Sequence, residues 1–341
     1  MTTTMELIKA LSNAVGVAGR ENKAAQLAAR LLEPYGKVET TVLGSVICTL
    51  QAPKQGQAHL LLDAHLDEIG MIVSYIDEKG FLTVSNCGGV DRRLLSAAQV
   101  VVHTKEEDLY GVVCSIPPHL SSDSDKVAKI EDLHIDVGLS GIQAKQRIAL
   151  GDRVTILSTA RELIGEKICG KALDNRASCA ALIRTAQLLE GKELPCGVSI
   201  LLSTMEEVGG QGAKTAAYQL MPTHAVVVDV SFAHTPDAPR HKCGDLNKGP
   251  MIGIAPLLNK QLTELLQAVC QREGIPFQSE VMGGETGTNA DAIAVTGAGV
   301  KTAMASIPQR YMHTPIEVVS AQDVEDTARL LAGVILSGEI A

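Results

Sequence analysis

Two adjacent carboxylates, Glu206 and Glu207, stand just past the run Val198-Ser199-Ile200-Leu201-Leu202-Ser203, which reads as a buried strand. Strand neighbours point to opposite faces. A pair just past the strand can therefore give one carboxylate to a metal and leave the other to act on a water. Comparable residues recur after other apolar runs. His65 and Asp67 follow Leu60-Leu61-Leu62, Asp229 ends Ala225-Val226-Val227-Val228, and His313 lies in the loop after Lys301-Thr302-Ala303-Met304. Asp174, in Lys171-Ala172-Leu173-Asp174-Asn175-Arg176, stands just before a helical pattern. In open α/β sheets, sites form outside the carboxyl ends of the strands, and these residues occupy such positions.

Mixed imidazole and carboxylate ligation suits zinc, cobalt or manganese. The set exceeds the three protein groups of a usual catalytic zinc. It is enough for two ions about 3.5–4 Å apart sharing one carboxylate. One of Glu206 and Glu207 is expected to ligate and the other to serve as general base. Asp67 is placed to accept the second N–H of His65 or to brace the site. Asp174, taken alone, also fits the N-cap of its helix. An unpaired Asp229 at the end of a valine strand is costly to bury, which favours a ligand role. His234 and His241 are the remaining histidines expected nearest to a substrate.

The elements that must position these groups follow from periodicity. The first 65 residues read helix, helix, strand, strand, strand, with a strand from Val42 to Leu50. Short strand-like runs separated by Gly and Asp turns fill about residues 70–163, as in a small β-barrel or sandwich, with one short helix near Gly141–Leu150. Ser121-Ser122-Asp123-Ser124-Asp125 reads as a mobile loop. From Asp174 onward helices at about 176–190, 211–220, 260–273 and 321–336 alternate with strands at about 197–203, 225–230 and 299–304. The expectation is an α/β fold with a mixed, largely parallel sheet flanked by helices. Residues 1–67 and 164–341 would form the catalytic domain, and 68–163 an inserted small β-barrel domain.

Composition narrows the function classes. The chain has 341 residues, 45% of them apolar, but only 2% aromatic and no Trp, so its core is aliphatic and it lacks a stacking platform for bases. A net charge of −9 argues against nucleic acid and anionic membranes as partners. No run approaches the roughly 18 apolar residues of a membrane span. The N-terminus has no signal-peptide pattern, and eight scattered cysteines without a C-x-x-C pair fit reduced thiols in the cytoplasm.

The motifs resemble those of the M42 family of metallo-aminopeptidases, the glutamyl- and tetrahedral-aminopeptidase group. The resemblance is carried by Asp63-Ala64-His65-Leu66-Asp67-Glu68-Ile69-Gly70, Gly170-Lys171-Ala172-Leu173-Asp174-Asn175-Arg176, Ser203-Thr204-Met205-Glu206-Glu207-Val208-Gly209, Val227-Val228-Asp229-Val230, Lys248-Gly249-Pro250 and Ile307-Pro308-Gln309-Arg310-Tyr311-Met312-His313-Thr314-Pro315. Asp132-Leu133-His134-Ile135-Asp136-Val137-Gly138 is similar to its counterpart in the inserted domain.

The resemblance implies a zinc-peptidase-like fold and two divalent ions per subunit. His65, Asp174 and Asp229 would hold one ion. Asp174, Glu207 and His313 would hold the other. Glu206 would be the general acid/base, with Asp67 supporting His65. It also implies short peptide substrates and an inserted domain that serves dimerisation and assembly, up to a dodecamer built from dimers. One departure stands out: where the family often has Gly-Thr-Asp-Ala, this chain has Gly287-Thr288-Asn289-Ala290, so loop geometry or selectivity is expected to differ. Carboxypeptidases, acylases and deacetylases can use the same dinuclear design, and a metal-dependent assembly protein is the non-enzymatic alternative.

Overall fold

A computed structural model describes residues 2–120 and 127–340. The serine- and aspartate-rich segment expected to be a mobile loop lies outside the described residues.

The architecture is mixed α/β, with an 11-stranded sheet and a closed six-stranded barrel. At the centre of the sheet, Gly197–Ser203, His59–His65, His224–Phe232 and Lys301–Arg310 run parallel in that spatial order. Parallel neighbours need crossovers, and helices supply them. The margins are antiparallel, including the hairpin of Lys37–Thr40 with Val46–Gln51 on one side and Glu317–Ser320 on the other. The single strand expected over Val42–Leu50 is instead this hairpin. Gly44 takes a left-handed φ of 89° and donates to Thr41, turning the chain and leaving Val42 exposed.

The central strands are buried along almost their whole length, as expected when helices cover both faces. Alternation sorts their residues. Leu60, Leu62, Ala64, Val226 and Val228 join the larger core, which also takes Leu7, Ile8 and Leu11 from the helix Thr4–Asn13. That helix starts at a capping box between Thr3 and Glu6. Leu61, Leu201, Ala225 and Val227 face the other way, onto the helices Gln211–Leu220 and Asn289–Ala294. His65 and Asp229 share the parity of this second face. The register Val227 with Asp63, carried on two residues, brings Asp229 level with His65.

The barrel is formed by Gly70–Ile76, Leu82–Cys87, His134–Asp136, Asp108–Val113, Gln99–His103 and Arg153–Ile156 around its own core of Met71, Val84, Val102, Ile135 and Val154. Its first strand starts five residues after His65, so the barrel mouth abuts the carboxyl ends of the parallel strands.

Candidate metal centre

Asp174 lies at the middle of the converging groups. Its Oδ1 is 3.0 Å from Nε2 of His65, and its Oδ2 is 3.3 Å from Nε2 of His313. Asp229 Oδ1 lies 3.8 Å from the same nitrogen of His65, and Glu207 Oε1 lies 3.4 Å from that of His313. The ligand atoms of His65, Asp174 and Asp229 fall within 4.8 Å of one another, as do those of Asp174, Glu207 and His313. Both triads share Asp174. Glu206 reaches within 3.9 Å of His65 from the side. All these groups line one cavity of about 510 Å³.

Local structure explains how each group is aimed. Asp174 is not an N-cap: it and Asn175 interrupt the helix Leu173–Leu189 with non-helical φ/ψ, and Asn175 donates to the Val228 carbonyl at 2.9 Å. Four left-handed non-glycine residues, Ala172, Met205, Tyr311 and His313, sit at or beside candidate ligands, at φ of 55–61°. Each such residue costs roughly 1–3 kcal/mol, a cost that surrounding structure bears mainly at functional sites.

Asp67 braces the site through both its backbone and its side chain. Its backbone carbonyl takes Nδ1 of His65 at 3.2 Å, with its carboxylate farther off at 3.6 Å. The carboxylate accepts the backbone N–H groups of Glu206 at 2.9 Å and Glu207 at 3.0 Å. It thereby fixes the turn that presents both glutamates.

Sequence reasoning overlooked two supports. Buried Glu317 accepts the N–H groups of Leu173 at 2.6 Å and Asp174 at 3.2 Å through one oxygen, and that of His313 at 2.9 Å through the other. It ties the shared carboxylate to the second imidazole. Gly89, at the barrel mouth, accepts from Nδ1 of His313 at 3.1 Å. A Cβ on Gly89 would lie 2.6 Å from that nitrogen, so glycine lets the barrel close onto the ring. Glu317 stands only four residues past His313, the one signal that points to it in the sequence.

His234 and His241, expected near a substrate, do not line the cavity. Asn289 lies beneath the site rather than in it. Its amide donates to Asp63 at 3.0 Å and to Ser203 at 2.8 Å, and burial pushes the Asp63 carboxyl up to about 6. Asparagine here supplies a donor to a buried carboxylate, where aspartate would set a second acid against it.

The electrostatics are those of a cation trap. Hydrogen bonds that the His313 ring donates to Asp174 and Glu207 push its pKa up to about 11. His65 is also raised, because Glu206, Asp174, Asp67 and Asp229 outweigh its burial. Burial pushes Glu206 up to about 7 and raises Glu207 and Asp229. Asp174 is buried too, yet the two imidazoles hold it below the ordinary carboxylate range. Four carboxylates crowded around two imidazoles call for more positive charge than the imidazoles carry. Two divalent cations would supply it, and the nitrogen and oxygen donors suit zinc, cobalt or manganese.

The fold and this cluster define a class: mixed α/β proteins with a carboxylate- and imidazole-lined cavity at the carboxyl ends of the parallel strands. The family model described as M42 glutamyl aminopeptidase matches residues 44–330. The lysyl aminopeptidase of Pyrococcus furiosus is 32% identical over 95% of this chain and 94% of its own length. An aminopeptidase from Desulfurococcus kamchatkensis superposes with a TM-score of 0.90 at 32% identity, covering 97% of this chain and 94% of that one. The TET1 peptidase of Pyrococcus horikoshii, described as assembling into a tetrahedron or a large octahedral shell, does so with a TM-score of 0.88 at 28% identity, over 98% and 99%. The chain belongs to the M42 peptidase family and is an aminopeptidase.

Proposed function

We propose that this aminopeptidase works with two divalent cations and removes N-terminal residues from short peptides. His65, Asp174 and Asp229 hold one cation, and Asp174, Glu207 and His313 hold the other. The observation that carries the reading is the placement of Asp174, with one carboxylate oxygen toward each imidazole. Zinc fits the donors, as do cobalt and manganese. Bound there, the cations supply Lewis acidity to the scissile carbonyl and acidify a water toward neutral pH.

The chain's own groups do the rest. Glu206 stands beside the triads rather than within the two that share Asp174. Its carboxylate takes the proton of the attacking water and returns it to the leaving amine. Asp67 keeps Glu206 and Glu207 in register through their backbone N–H groups.

The substitution Glu206→Gln tests this assignment. Metal content is expected to stay at the wild-type level while turnover of leucyl- and glutamyl-anilides falls by at least about a hundredfold. Wild-type turnover in that variant would remove Glu206 from the role. Free-amine, N-acylated and free-carboxylate substrates compared side by side separate aminopeptidase action from the acylase and carboxypeptidase alternatives.

The segment 68–163 is proposed as the assembly domain. Tyr75, Tyr110 and Val112 are exposed on barrel strands, and the related TET1 peptidase forms closed shells. A dodecamer built from dimers is the proposed form. The setting proposed is the cytoplasm, which suits eight cysteines without a disulfide. No helix among the described residues is long and apolar enough to cross a membrane.

A further inference from the structure

The catalytic cavity contains a carboxylate that the chemistry above does not use. Glu280 lies on the short strand Gln278–Val281 at the sheet margin, and its side chain lines the cavity that holds the candidate ligands. The carboxylate is fixed by two hydroxyls. Ser231 donates to Oε1, and Ser306 donates to Oε2 at 2.7 Å. These are its hydrogen-bond partners among the described residues, and no basic side chain there pairs with it. Each carboxylate oxygen can accept a further bond, so a fixed negative charge faces the cavity with acceptor capacity to spare.

Position and surroundings suggest what it meets. Ser231 lies two residues beyond Asp229 on the same strand, so the two side chains share a face, about 7 Å apart. Met282, Met304 and Met312 line the same cavity. Gly253, the register partner of Glu280, leaves room for them. A Cβ there would meet Met304 at 3.1 Å and Met282 at 3.2 Å. Methionine walls adapt to an unbranched stem. Lysine carries its ammonium on a four-carbon stem, which buries along apolar surface while the head seeks a polar partner. Of the two serines that fix Glu280, Ser306 is the register partner of Asp229 and Ser231 lies two residues beyond it, so the carboxylate stands beside the cation cluster within reach of such a stem.

We propose that Glu280 determines specificity for the N-terminal side chain and selects lysine or arginine. This rests on the aminopeptidase reading of the cavity. The scissile carbonyl sits at the cation cluster, the methionines pack the stem, and Glu280 pairs with the cationic head. An N-terminal glutamate or aspartate would bring a second negative charge against Glu280 and is disfavoured.

The test compares kcat/KM for lysyl-, arginyl-, norleucyl- and glutamyl-anilides with metal-replete wild type, E280Q and E280D. Norleucine keeps an unbranched four-carbon chain and lacks the charge. The wild type is expected to favour lysyl over norleucyl substrate by at least about tenfold, the factor that 1.4 kcal/mol represents. E280Q is expected to bring that ratio close to one, and E280D to preserve the order. Product inhibition of the wild type by free lysine, stronger than by norleucine, reads the same preference without a variant. The proposal is overturned if the wild-type ratio is at or below one, or if E280Q leaves it unchanged. An equal loss on every substrate would overturn it too, because the carboxylate would then be serving the α-amine. If the wild type cleaves none of the four, the aminopeptidase reading falls with it; cleavage without the lysine preference sinks this inference alone.

Discussion

Replacing Glu317 by Gln probes how the two triads are held together. Glu317 touches neither imidazole nor the Asp174 carboxylate. It acts through backbone, binding the N–H groups of Leu173 and Asp174 with one oxygen and that of His313 with the other. The amide of Gln has the same shape but one accepting oxygen. Whichever way it turns, an NH2 group faces an N–H donor. At least one charge-assisted hydrogen bond is lost in a buried setting, at about 1.5–3 kcal/mol. If that loss falls on site formation, metal affinity drops by about 10- to 150-fold, since each 1.4 kcal/mol is tenfold. Calorimetric titration of the metal-stripped protein with Zn²⁺ or Co²⁺ gives the dissociation constants. Thermal unfolding in chelator separates a general loss of stability from a loss at the site. Dissociation constants within twofold of wild type, with unchanged unfolding in chelator, would refute the argument that Glu317 positions Asp174 and His313.

Two shorter predictions follow from other contacts. In Gly89→Ala the added methyl would sit 2.6 Å from Nδ1 of His313, so the ring must move off the Gly89 carbonyl. Metal affinity, read by chelator competition, should fall by about 10- to 100-fold, as for other groups that orient a ligand. The second concerns pH. Burial, opposed by N–H bonds from Asn247 and Gly249, pushes Asp323 from its ordinary 3.8 up to about 6. The folded chain therefore keeps this proton to higher pH than the unfolded chain. The stabilising contribution is complete below about pH 4 and is lost as pH rises through about 6. The loss is on the order of 3 kcal/mol, from about two units at roughly 1.4 kcal/mol each. Urea unfolding of wild type and D323N should show their stability difference shifting by that amount against the wild type between pH 4 and 7.

The parallel core of the sheet was legible because buried parallel strands write themselves as apolar runs, and the ligands follow those runs. His65, Glu206, Glu207, Asp229 and His313 could be picked out one by one, and the structure brings all of them to one cavity with Asp174. What periodicity could not reveal depends on pairing between distant segments. The Lys37–Gln51 hairpin read as a later single strand because Val42 and Leu43 are apolar, although the turn leaves Val42 in solvent. The margin strands Met251–Ile254 and Gln278–Val281 are too short to carry a pattern. Glu317 accepts from a backbone N–H 144 residues away and Gly89 offers its own carbonyl to a ring 224 residues away, and neither residue type announces such a role. Asp67 reads in the sequence as a partner of His65 or a brace of the site, and its contacts with the Glu206–Glu207 backbone are the part that periodicity does not reveal. Its side chain serves the Glu206–Glu207 backbone, a contact set by the parallel register of Ser203 with His65.

The central claim is that one aspartate is shared between two cations. Elemental analysis of metal-reconstituted, gel-filtered protein tests it directly, comparing wild type with D174A. The account predicts about two divalent ions per chain in the wild type and close to none in D174A, with the variant still folded by circular dichroism. A wild type that binds one ion, or a folded D174A that keeps both, would contradict it.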